Sequence, residues 1–121
     1  MAFSTYNTET VETIDGKVLI FGGILSNFGN HYDPTTGIFT CPVDGLYLFS
    51  TSCGSQYGSE INMRMFMEST ELGQAYANDW GQGSVTVITN CQQSEQVWVQ
   101  AQGSGDMFYT GHWTTFSAVM L

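Results

Sequence analysis

The sequence predicts an all-β sandwich or jelly roll, and three observations carry that prediction. Short β-branched and aromatic stretches recur between clusters of glycine, asparagine and serine, helical apolar periodicity is hard to find, and turn chemistry punctuates the chain throughout. Its 121 residues, 42% apolar and 14% aromatic against 11% charged, suffice for one hydrophobic core and leave no room for a second. Residues 1–121 therefore read as a single domain.

Taken in order, Val18-Leu19-Ile20-Phe21 reads as a strand closed by Gly22-Gly23. Asp33-Pro34-Thr35-Thr36-Gly37 has the chemistry of a turn between strands, because proline presets one φ angle and glycine accepts a positive one. Leu46 to Ser52 is a strand opened by Asp44-Gly45, and Ile61 to Met67, Ser84 to Thr89, Gln96 to Gln102 and Thr114 to Leu121 follow. Met63, Met65 and Met67 alternate, so a strand places all three on one face. Packing in the core or between subunits is the reading for them, ahead of a soft-metal or ligand site. Neither an internal repeat nor a Gly-X-Y collagen period is present.

Eleven acids stand against Lys17 and Arg64, giving a net charge of -9. Polyanion binding releases counterions through many Lys and Arg side chains, so nucleic acid and anionic membranes are poor partners. Cationic ligands, divalent metals and neutral sugars stay open. No apolar run approaches the roughly 18 residues of a membrane helix. Met1 to Thr5 lacks the charged and apolar regions of a secretory leader, which leaves either a removed leader or retention in the cell. Cys41, Cys53 and Cys91 allow at most one internal disulfide, and none has Cys-x-x-Cys spacing. Nucleophile elbow, phosphate loop, zinc-protease helix and redox motif are all missing, and His31 and His112 are the sole histidines.

A neutral sugar needs an aromatic face for its C–H surface and directional polar groups for its hydroxyls. Tyr57, Trp80 and the run Tyr109-Thr110-Gly111-His112-Trp113 supply the aromatic candidates, with Tyr57, Trp80, Tyr109, His112 and Trp113 as expected ligand-binding residues; partial packing is the competing reading for each. Ala77 to Gly83 gathers a carboxylate, amide oxygens and glycine-freed carbonyls, the hard oxygens that calcium favours. The Asn-x-Ser/Thr acceptor pattern occurs nowhere, so these loops should carry no N-linked sugar.

From Phe21 to Phe49 the aromatic spacing becomes specific: Phe21, Asn27, Tyr32, Phe39, Gly45, Tyr47 and Phe49, with Asn27 to Pro34 and Gly37 to Tyr47 as contiguous text. This pattern resembles the globular-head signature of the complement C1q family. Ala2-Phe3-Ser4, Gln96 to Val99 and Thr115-Phe116-Ser117 are similar to that family's first, late and final strands. Thr51 departs from it where an aromatic closes the signature, Ser94-Glu95 replaces a Gly-Asp turn, and Ala118 replaces a glycine.

The resemblance implies a ten-strand, two-sheet jelly roll similar to tumour necrosis factor, assembled as a homotrimer and secreted, with Phe39, Tyr47, Phe49, Trp98 and Phe116 packing the core or the trimer interface. Some heads of that family hold calcium near the trimer apex, which makes Asp79 and Gln82 the carried-over metal candidates, with an acidic surface loop free of metal as the competing reading. The resemblance also implies that the strand from Gly45 runs beside the strand from Gln96, which would let Cys53 and Cys91 bridge. The expected function is binding rather than catalysis: an extracellular, lectin-like pattern-recognition head of innate immunity that binds carbohydrates on microbial or self surfaces. The alternative is a trimeric structural or cytokine-like module with a protein partner.

Overall fold

Alternation of apolar and polar side chains settles into strands wherever one face can be buried. Ala2–Asn7 (β1) alternates half-buried and buried residues along its whole length, and Gly45–Gly54 (β5) buries Tyr47, Phe49, Thr51 and Cys53 on one face. The computed structural model describes residues 1–8, 13–103, 105–106, 108 and 111–121. Between and after those two strands run Gly23–Phe28 (β2), Tyr32–Asp33 (β3), Ile38–Thr40 (β4), Glu60–Met67 (β6), Thr70–Asn78 (β7), Gln82–Cys91 (β8), Gln96–Gln102 (β9) and Gly111–Met120 (β10).

Two five-stranded antiparallel sheets result, in the orders β2-β1-β10-β5-β8 and β3-β4-β9-β6-β7. This is the all-β, two-sheet, ten-strand jelly roll expected from the sequence. Between the sheets sit Phe3, Phe21, Tyr32, Phe39, Tyr47, Phe49 and Phe116, joined by Ile61, Met63 and Met65. Phe3 stacks on Tyr32 at 4.8 Å and meets Phe116 edge-on at 5.0 Å, the geometries that aromatic quadrupoles favour. Met63 and Met65 are core residues, and Met67 is partly buried against that core. Of the two expected positions for Trp98, core or trimer interface, the core is excluded: it lies half-buried on the outer face of the second sheet, stacked on Phe66.

The Asp33–Gly37 turn forms as predicted between β3 and β4. Gly37 N–H donates to the Asp33 carbonyl at 2.9 Å, and the Asp33 carboxylate accepts from the Thr35 N–H and hydroxyl. Gly37 has φ +80°, and any Cβ there would strike the Leu19 carbonyl. Residues 18–21, expected as a strand, are not one. Val18 makes an isolated bridge to Gln100 and Leu19 N–H bonds the Val99 carbonyl, after which the segment leaves the sheet edge. Phe21 is held instead by a side chain: its N–H donates to the Tyr32 hydroxyl at 2.9 Å, and that hydroxyl donates to its carbonyl at 3.2 Å.

The neighbours of β5 are β10 and β8, not β9, which belongs to the other sheet. That corrects the expected Cys53–Cys91 disulfide. Cys53 faces Gly83 at one end of the β5–β8 ladder and Cys91 faces Gly45 at the other. The span from Gly45 to Cys53 is about 27 Å at ~3.4 Å per residue, against the ~4.4–6.8 Å a disulfide tolerates. All three cysteines are buried free thiols. Cys41 is the one that neighbours Cys91, its thiol lying 3.5 Å from the Cys91 carbonyl and donating to the Val43 carbonyl at 3.0 Å.

Candidate functional site

Antiparallel pairing gathers three connections at one end of the sandwich: the one after β5, the hairpin between β7 and β8, and the one before β10. The hairpin turn is Asn78-Asp79-Trp80-Gly81, closed by Gly81 N–H donating to the Asn78 carbonyl at 2.8 Å. Asp79 and Trp80 have φ of +44° and +66°. Two consecutive positive angles are those of a type I′ turn, which matches the twist of flanking strands and is normally filled by Asn-Gly or Asp-Gly. Aspartate tolerates the first position. Tryptophan at the second is a bulky side chain in left-handed backbone, a conformation that costs of order 1–3 kcal/mol.

That backbone leaves Trp80 61% exposed, and Trp113, from the start of β10, is 49% exposed. Together with Gly54, Ser55 and Gly81 they line a cleft of about 170 Å³. The Trp113 carbonyl accepts from the Ser52 hydroxyl at 3.3 Å, and Gly54 N–H donates to the Thr114 hydroxyl at 3.2 Å, tying β10 to the end of β5. Ser55 is 1% exposed and fixed by its N–H to the Gly81 carbonyl, yet its Oγ has no hydrogen-bond partner.

Of the other expected residues, Asp79 acts first as a strut: its Oδ1 accepts the Gly58 N–H at 2.9 Å, joining the hairpin to the loop that carries Tyr57. Tyr57 is 77% exposed at the same end. Gln82 opens β8 opposite Gly54 with its side chain exposed. His112 is not part of the cleft; it packs on the Tyr6 ring at 4.5 Å. Tyr109 lies outside the described residues. Among the described residues no three His, Cys, Asp or Glu side chains converge on one point. Sequence reasoning missed Ser55, since a serine among serines and glycines carries no signal until its neighbours are known. A wider hollow of about 670 Å³ beside Leu19, Ile20 and Pro34 collects none of the predicted aromatics.

A second surface emerges from strand register. Across the outer face of the first sheet runs an apolar row, Phe28-Ala2-Val119-Leu48-Ile88, and beside it a hydroxyl row, Ser26-Ser4-Ser117-Ser50-Thr86. A third row, Gly23-Tyr6-Thr115-Ser52-Ser84, leads towards the cleft. These three rows contain no charged residue, on a chain of net charge -9.

Residues 2–121 match the C1q domain family. The chain belongs to that family. It is 28% identical over 106 residues to one of the human complement C1q subcomponent polypeptides, covering 84% of this chain and 42% of that protein. It is 31% identical over 90 residues to mouse collagen alpha-1(X) chain, covering 70% of this chain and 13% of the relative. The chain thus spans less than half the length of these curated relatives. The globular domain of zebrafish complement 1qA superposes with a TM-score of 0.82 at 19% identity, covering 99% of this chain and 96% of that one. Eiger TNF from S. frugiperda superposes at 0.78 with 10% identity over 100% of this chain and 92% of that one, so the fold is shared with the tumour necrosis factor architecture. No enzyme family is indicated.

Within the C1q domain pattern the departures acquire physical meaning. Thr51, standing for an aromatic, is buried and donates its hydroxyl to the Thr115 carbonyl at 2.8 Å. Ala118, standing for glycine, is buried on β10 opposite Phe3 and Phe49. Ser94, standing for glycine, has φ +75°, the left-handed backbone that a glycine adopts freely. The signature residue Asn27 bonds both backbone groups of Tyr32, its amide donating to the carbonyl at 2.8 Å and its oxygen accepting the N–H at 3.3 Å.

Proposed function

We propose that this chain is an extracellular, non-enzymatic recognition head that assembles as a homotrimer and binds neutral carbohydrate through the cleft between Trp80 and Trp113. The observation that carries the reading is Trp80, a bulky residue kept in left-handed backbone and held out at a loop end beside a second half-exposed tryptophan. Strained backbone of this kind persists where a side chain must be presented in a fixed place. Paired aromatic faces suit the C–H surface of a pyranose. The charge of -9 disfavours sulfated or phosphorylated targets, and weak single sites gain strength when three are presented together. Microbial or self glycans and an innate-immune role follow from this reading.

Trimerisation draws support from the uncharged face. Subunits of net charge -9 repel one another, so they meet best on a surface without charge, and the rows through Val119, Ser117 and Thr115 offer one. Calcium belongs to the same proposal as a partner of the trimer. Asp79 and Gln82 of one subunit are too few for an ion that takes six to eight oxygens, whereas three sister pairs could complete the shell.

The experiment is a glycan array, with calcium and with chelator, on protein whose mass in solution is known, alongside Trp80→Ala and Trp113→Ala. Binding by the wild type and loss in both variants, each still trimeric, supports the reading. Sensitivity to chelator supports calcium, and absence of calorimetric heat with calcium on chelator-treated protein removes it. A drop in mass on Trp80→Ala would reassign the tryptophan to subunit packing.

A second reading, a structural or cytokine-like module for a protein partner, is favoured by the edge strand β2, where Ile24, Leu25 and Phe28 stand exposed. Silence across the glycan array would favour it.

A further inference from the structure

Ser55 is buried at the loop end, yet lacks what other buried hydroxyls of this chain have. The Thr51 hydroxyl donates to the Thr115 carbonyl, the Thr5 hydroxyl to the Phe116 carbonyl, and the Thr114 hydroxyl accepts the Gly54 N–H. Among the described residues three buried side-chain atoms have no hydrogen-bond partner: Ser55 Oγ, Asn62 Oδ1 and Arg64 Nε. Asn62 and Arg64 belong to β6 in the second sheet, and Arg64 Nε still lies 3.3 Å from the Glu71 carboxylate. Ser55 alone of the three lines a cleft, and its backbone is pinned there by the bond to Gly81 and a bridge to Phe108. A buried hydroxyl without a partner is a standing penalty that alanine would remove.

We infer that Ser55 is the polar anchor of the Trp80–Trp113 cleft and that the occupant is one neutral pyranose at a glycan end, a ring hydroxyl of which supplies the missing hydrogen bond. This rests on the reading of the cleft as a sugar site. The cleft has room for roughly five or six waters at ~30 Å³ each, the scale of one sugar ring and not of a chain of them. Its five lining residues are uncharged, so nothing in it balances a carboxylate, sulfate or phosphate. The Ser55 hydroxyl is buried, so meeting the ring requires it to turn into the cleft by rotation about χ1, a change between staggered wells. The two tryptophans bind pyranoses as a class, and Ser55 selects those with a hydroxyl in reach.

The test is titration of methyl α- and β-glycosides of galactose, mannose, glucose and N-acetylglucosamine against wild type, Ser55→Ala and Trp80→Ala, followed by ligand-observed NMR, with thermal melts of each protein. The expected result is a three- to tenfold weaker interaction of Ser55→Ala with the preferred glycoside, the range that loss of one neutral hydrogen bond produces. Its melting temperature should be unchanged or higher, because no protein bond is lost. A Ser55→Ala protein that melts well below wild type would show the hydroxyl to be structural and overturn the inference. Unchanged affinity in Ser55→Ala with loss in Trp80→Ala would overturn the anchor while leaving the sugar cleft standing. No response of wild type to any glycoside, with a silent array, would remove the cleft reading and the anchor together.

Discussion

The Tyr32 hydroxyl takes the place of a missing strand partner. It bonds both the N–H and the carbonyl of Phe21, a fully buried residue on the segment that leaves the sheet edge. Tyr32→Phe strands two backbone groups in the core and should lower stability by about 1–3 kcal/mol, read from urea unfolding. Burial also pushes the Tyr32 hydroxyl up to about 12, with Cys53 pushed to about 11 and Cys91 to about 12 chiefly by the same cause. For groups whose folded value is raised, the protonated form belongs to the fold. Their contribution is complete below the ordinary values and is lost as pH rises through the raised ones. Circular dichroism should therefore show cooperative loss of sheet structure between about pH 10 and 12, and a fold unchanged through that window would contradict the assignment. Ser94 offers the opposite sign. Its N–H to the Cys41 carbonyl survives substitution, so Ser94→Gly should relieve the left-handed backbone and raise stability by about 0.5–1 kcal/mol, measured by thermal melting. At this scale the rings of Phe39, Tyr47 and Phe49 are legible through their spacing in the pattern that resembles the C1q signature. The roles of Ser55 and Tyr32 are not, since a hydrogen bond between residues eleven apart leaves no periodic trace.

The β7–β8 hairpin joins two strands of unequal legibility. β8 alternates serine, valine and threonine cleanly and is legible in the sequence, whereas β7 carries Glu71, Gly73, Gln74 and Asn78 among few apolar residues and gives no clear strand pattern. β9 was placed at its observed bounds, Gln96–Gln102. Residues 18–21 mislead for the converse reason: Leu19 and Phe21 fill the core while Ile20 is exposed, but the backbone finds sheet partners only at Val18 and Leu19. Strand identity is therefore legible only where apolar and polar residues alternate cleanly, strand adjacency is not, and the mistaken β5–β9 neighbourhood carries the cysteine pairing with it. The turn of this hairpin separates stability from binding. Trp80→Gly would place Asp-Gly in a type I′ turn, the pairing that this geometry prefers, and should stabilise the chain by about 1 kcal/mol while abolishing sugar binding. Thermal melting and glycoside titration of the same sample check both halves; destabilisation would mean that Trp80 is packing and not display.

Across the whole molecule, charge and its absence divide the surface. Among the described residues the acids crowd loops, strand ends and the second sheet, while the rows of the first sheet leave a five-strand face rich in serine, threonine and apolar residues. A single subunit gains nothing from such a face, which leaves Phe28, Val119 and Ile88 exposed to water. An assembly gains much, since each hydroxyl can be desolvated at far smaller penalty than a charge, and removing one charge from water costs several kcal/mol. Ser117 stands at the centre of the hydroxyl row, flanked by Ser4 and Ser50. Ser117→Glu should leave the fold intact, because the side chain points outward, and should reduce the particle to monomers by light scattering. Salt separates the two electrostatic contributions. Screening of mutual repulsion should tighten the wild-type trimer as ionic strength rises, because the Debye length shortens from ~10 Å at 0.1 M to ~3 Å at 1 M. It should not restore Ser117→Glu, whose defect is a desolvated charge. A Ser117→Glu protein that stays trimeric would place the subunit contact elsewhere. A wild type that is monomeric at micromolar concentration and high salt would leave the uncharged face without a partner and remove the multivalency on which weak sugar sites depend.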